Sequence, residues 1–60
     1  MSFEVEIKGV ETFIWENKKY KRVVFKVKGE KILRGLEIDP DREYSEKELK
    51  EVILSHLRGL

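Results

Sequence analysis

Trp15, Lys18, Tyr20, Arg22, Lys26, Lys28 and Lys31 are the residues of this 60-residue chain whose types and spacing suggest chemistry. That chemistry is non-covalent. Lys and Arg neutralise phosphates, and aromatic rings stack on bases or wedge between them. The same residue types anchor protein interfaces. A third reading makes Phe13 and Trp15 a small second core beneath a curled N-terminal strand, with the lysines merely solvated. The expectation is a small non-enzymatic binding module, sequence-independent for nucleic acid. Protein interaction or weak homodimerisation through the same face is the alternative, and a structural miniprotein the third possibility.

The remaining candidates give little. His56 is the single His and no Cys is present, so an ordinary zinc site has no ligand set. It is expected as a partly buried structural side chain. Ser55 precedes it, but adjacent helical residues point about 100° apart and do not form a nucleophile–base pair. Asp39, Asp41 and Glu43 alternate like the start of a calcium loop. Tyr44 and Lys50 then stand where that loop needs its Gly and its closing Glu. These acids fit a turn around Pro40 instead. The four Gly are scattered, so no phosphate loop is formed. No metal, cofactor or small-molecule substrate is expected.

Charged residues make up 42% of the chain and hydrophobic ones 40%, with a net charge of +1. No apolar run reaches the length of a membrane span. Met1 to Glu6 alternates apolar and acidic residues, unlike a secretory leader, and a cytoplasmic location is expected. A domain of this size buries only roughly 60% of its unfolded surface and depends on consistent local signals. A charge-dense chain with one His, one Met and no Cys suits a hyperthermophile or an idealised design.

The elements that must position these side chains form a single α+β domain over 1–60, with a sheet over 1–38, a turn over 39–44 and a helix over 45–58. Phe3, Val5 and Ile7 alternate with charged residues as in a half-buried strand. Lys8-Gly9 supplies a first turn, and residues 10–16 a second strand. Asn17-Lys18 fits a two-residue hairpin loop and Gly29-Glu30 a type II′ turn. Residues 20–28 and 31–38 are then the third and fourth strands. The sheet is expected to be a curled antiparallel meander of about four strands, either open or partly closed as in an SH3-like barrel. Ser45 and Glu48 form a capping box, with Tyr44 and Leu49 at staple spacing. Leu49, Val52, Ile53, His56, Leu57 and Leu60 form one apolar stripe, and Gly59 fits a left-handed C-cap.

These loops set a register. Val27 faces Ile32, Phe25 faces Arg34 and Val23 faces Leu36; Trp15 faces Tyr20, Phe13 faces Arg22 and Thr12 faces Val23. One face holds Val10, Thr12, Ile14, Val23, Phe25, Val27, Ile32, Leu36 and Ile38 and packs on the helix. The other holds Phe13, Trp15, Tyr20, Arg22, Val24, Lys26, Lys28, Lys31 and Leu33. Residues 17–34 carry eight basic side chains against Glu30, a local charge of +7. The flanking segments 1–16 and 35–51 are acidic, at −3 and −4.

With Lys8-Gly9 at the first turn and Ser45-Glu46-Lys47 opening the helix, the layout resembles the small basic chromatin proteins of Sulfolobus. That resemblance implies a two-stranded ribbon, a three-stranded sheet that binds the DNA minor groove, and a C-terminal helix. The central sheet residues here differ from that family's binding surface, and the net charge is lower. Chromodomain-like and other SH3-like folds share the outline, which says little about function.

Overall fold

The computed structural model describes residues 3–59; Met1, Ser2 and Leu60 lie outside them. Strands β1 (Val5–Trp15), β2 (Lys18–Val27) and β3 (Arg34–Ile38) precede helix α1 (Glu46–Leu57). The sheet is antiparallel with order β1-β2-β3, and the helix packs on one face of it.

Three strands, not four, are present among the described residues, because Lys8-Gly9 is not a turn. The pairing passes from Ile7↔Phe25 to Gly9↔Val24, leaving Lys8 as the extra residue of a β-bulge. The bulge explains the sequence pattern. Apolar positions run odd through Val5 and Ile7 and even from Val10. A single inserted residue keeps all of them on the helix-facing side of one continuous strand. Val5 to Lys8 therefore continue β1 along β2 and do not curl over the other face. The sheet stays open, and no barrel is formed among the described residues.

The first hairpin turns at Glu16-Asn17, not Asn17-Lys18. Both residues have positive φ, 48° and 64°, as a type I′ loop requires. This register stacks Phe13 on Tyr20 and sets Glu11 opposite Arg22. Trp15 thus faces Lys18, Phe13 faces Tyr20 and Thr12 faces Lys21, in place of the pairings expected from the sequence. The shift is two residues, so every side chain keeps its face.

The second hairpin has the expected register, with Val23 opposite Leu36 and Phe25 opposite Arg34. Its ladder stops there. Gly29 has φ +94°, and Glu30 then reaches forward so that its carboxylate accepts from Arg34 Nε and Nη2 at 2.9 and 2.7 Å. Residues 31–33 leave the sheet, and Ile32 is exposed instead of facing Val27.

Val23, Phe25, Val27, Ile38, Leu49 and Ile53 form the core, flanked by Val5, Ile7, Leu36, Tyr44, Val52 and Leu57. Val10, Thr12 and Ile14 share the core-facing side but are exposed. Length is the reason. The helix has 12 residues, about 18 Å, while β1 has 11, about 37 Å. The helix therefore covers only one end of a molecule 39 Å long. It is also too short and too charged to cross a membrane, and no described helix could do so.

The helix start is built as its sequence implies. Ser45 Oγ accepts from the Glu48 N–H at 3.2 Å, and Glu48 Oε1 accepts from the Ser45 N–H at 3.1 Å. Arg42 donates to the other Glu48 oxygen at 2.7 Å and lies over the Tyr44 ring. The Ser45 backbone N–H, and next Arg42, hold the Glu48 carboxyl below its ordinary value of 4.5. Such a group contributes fully above its unfolded value, and the contribution fades as pH falls through the lowered folded value, so the cap weakens in acid. Replacing Ser45 by Ala is expected to cost about 0.5–2 kcal/mol, read from denaturant melts; an unchanged midpoint would place the helix start elsewhere. At the other end Gly59 takes φ +79° and its N–H donates to His56 O. His56 itself is exposed, not partly buried, because it lies on the edge of the stripe that faces solvent.

Candidate binding surface on the hairpin arm

β3 pairs with β2 only from Lys21 to Phe25. Beyond Lys21, the β1–β2 hairpin continues alone as a two-stranded arm. The type I′ loop matches strand twist, which lets the arm stay regular to its tip. The face turned away from the helix carries Phe13, Trp15, Lys18 and Tyr20. The helix-side face carries Thr12, Ile14 and Lys19.

Phe13 and Tyr20 are directly opposite and stack, with centroids 5.5 Å apart and planes 18° from parallel. Trp15 lies one pair further out, opposite Lys18, and is 64% exposed. The second-core reading therefore fails for Trp15: none of the described strands covers it. Ile14, on the reverse side, is 75% exposed. The arm thus presents large apolar side chains on both faces, with Lys18 and Lys19 beside them.

Arg22 sits at the root of the arm. Its guanidinium donates to Glu11 Oε1 at 3.1 Å and lies 5.6 Å from the centre of the Phe13 ring. Its stem crosses Gly35, where an added Cβ would fall 2.7 Å from Arg22 Cδ. The glycine is what lets Arg22 lie along the sheet. Lys26 stands opposite Glu6. Hydrogen bonding from Lys8 holds the Glu6 carboxyl below its ordinary range, with Lys26 adding a smaller contribution. Lys28 pairs with Glu4 at 3.2 Å. Lys31 lies in the loop after β2 and is exposed.

The seven residues singled out in the sequence thus separate into groups. Trp15, Lys18 and Tyr20 come together on the arm. Arg22 adjoins them with its charge met by Glu11. Lys26 lies further along the same face beside Glu6. Lys28 and Lys31 belong to the opposite end, since ten residues of strand separate Lys18 from Lys28 by about 33 Å. The +7 segment is therefore not one basic patch, because β1 and the turn lay acids against it. Phe13, Lys19 and Ile14 join the arm surface. The alternation of residues 12–15 already placed Phe13 beside Trp15; the exposure of Ile14 had no signal in the pattern, since its position reads as core.

Asp39 Oδ1 accepts from the Asp41 N–H at 2.9 Å, the local turn bond that the Asp39-Pro40-Asp41 sequence favours. Among the described residues no cluster of three or more His, Cys, Asp or Glu side chains could hold a metal ion. No family model, curated protein or solved structure matches the chain.

Proposed function

We propose that the chain is a small non-enzymatic binding module that engages nucleic acid through its hairpin arm. The observation that carries this is Trp15: an indole 64% exposed, cross-strand from Lys18, at the end of an arm that neither the helix nor β3 covers. A two-stranded ribbon fits the major groove of a duplex, and exposed rings on such a ribbon can instead stack on unpaired bases. Lys18 and Lys19 would neutralise phosphates on either side. Contact should be largely independent of sequence, since the first turn of α1 carries Glu46 and Glu48 and is a poor element for reading bases.

The acids paired with Arg22 and Lys28 make the expected affinity modest. Labelled duplex and single-stranded oligonucleotides, titrated at low and at near-physiological salt, test the reading. Saturable binding that weakens as salt rises is expected. Failure of both to bind at low salt would contradict it. A protein interface is the second reading, favoured by Ile14, whose exposed side chain on the reverse face gives nucleic acid nothing to recognise.

A further inference from the structure

The distal half of β1 is a free edge. β1 lies at one end of the strand order, and nothing pairs with its outer side among the described residues. The proximal half is protected, by the bulge at Lys8 and by Glu4, Glu6 and Lys8. From Gly9 to Trp15 there is no Pro, no bulge and one charge, Glu11, which Arg22 already meets at 3.1 Å. A two-residue type I′ loop closes on a hydrogen-bonded pair, here Trp15 and Lys18. Alternation then directs the N–H and C=O groups of Ile14, Thr12 and Val10 to the open edge.

We infer that this edge pairs with the same edge of a second copy, antiparallel and centred on Thr12, to give a continuous six-stranded sheet. The segment is self-complementary in that register. A two-fold axis through Thr12 sets Val10 opposite Ile14 of the other copy, and Ile14 opposite its Val10, on the helix-facing side. On the other side Trp15 lies across from the second Gly9, and Phe13 from the second Glu11. Centring on Glu11 would oppose like charges; centring on Phe13 would set Val10 against Glu16. Only the Thr12 axis joins apolar to apolar across the helix-side face and directs all three pairs of outward backbone groups at one another. Val10 and Ile14, exposed in the single chain, are then covered. The antiparallel arrangement leaves the two helices at opposite ends of the sheet. One strand pair is smaller than a standard interface, so association should be weak. This inference stands apart from nucleic-acid binding and needs none.

Sedimentation equilibrium of the full chain from about 10 μM to about 1 mM is the test, over a range suited to a sub-standard interface. Dimers at the upper end are expected. Thr12→Lys and Thr12→Glu, each verified as folded by circular dichroism, place like charges on the axis and should each be monomeric. Mixed in equal amounts, they should associate again, as heterodimers. A wild-type monomer at the highest concentration overturns the inference whatever the variants do. So do variants that dimerise as the wild type does, or a mixture that stays monomeric.

Discussion

Truncating Phe25 to Ala is expected to remove about 3–5 kcal/mol of stability, the largest effect of any single change in this chain. Phe25 is 1% exposed at the centre of the sheet's inner face, among Val23, Val27, Leu49 and Ile53. It stands between Ile7 of β1 and Arg34 of β3, so its ring is tied to both hairpins. No neighbouring element is free to collapse into the void, since both flanking strands are fixed by their ladders. Domains of this size hold only a few kcal/mol in total. The variant should therefore be largely unfolded at 37 °C, or melt far below the wild type. Full stability would mean that the sheet presents its other face to the helix, and would exchange every inside and outside residue.

The second large effect concerns the arm. Replacing Lys18 and Lys19 together by Ala should make the dependence of log affinity on log salt shallower by about 1.8 on duplex DNA, at roughly 0.9 per lost phosphate contact. Binding at low salt should weaken accordingly. The combined change of Arg22, Lys26 and Lys28 should cost less, despite removing one more charge. Arg22 and Lys28 are paired with Glu11 and Glu4, and Lys26 stands opposite Glu6. These three cations stand against acids on the sheet, so their removal vacates no phosphate site on the arm. If the triple change proves the more damaging, the contact lies on the middle of the sheet and not on the arm.

The helix was legible because its signals are local. Ser45 and Glu48 cap each other three residues apart, Tyr44 packs beside them on the core, and at the far end Gly59 bonds back to His56 three residues before it. The division of the sheet into two faces was legible for a different reason: side chains alternate with period two, so a loop misplaced by two residues changes partners but not faces. The bulge was hidden because a phase change in an alternating pattern fits a turn or an inserted residue equally well at Lys8-Gly9. Only the pairing of Val5 and Ile7 with β2 distinguishes them. Exposure at Val10, Thr12 and Ile14 was hidden too, since alternation marks a side and not how far the helix reaches along it. The aromatic and basic character of the candidate surface could be read directly. Its division into an arm and a charge-compensated middle could not, because Glu11 meets Arg22 only in the register that the Glu16-Asn17 loop sets.

Whether the arm around Trp15 engages nucleic acid is read most directly from the emission of that indole. It is the single tryptophan of the chain, so the signal has one source. Adding duplex or single-stranded oligonucleotide at low salt should change Trp15 emission to saturation, in step with the binding curve, and added salt should reverse it. Emission that stays constant while the oligonucleotide binds would place the contact elsewhere and contradict the account.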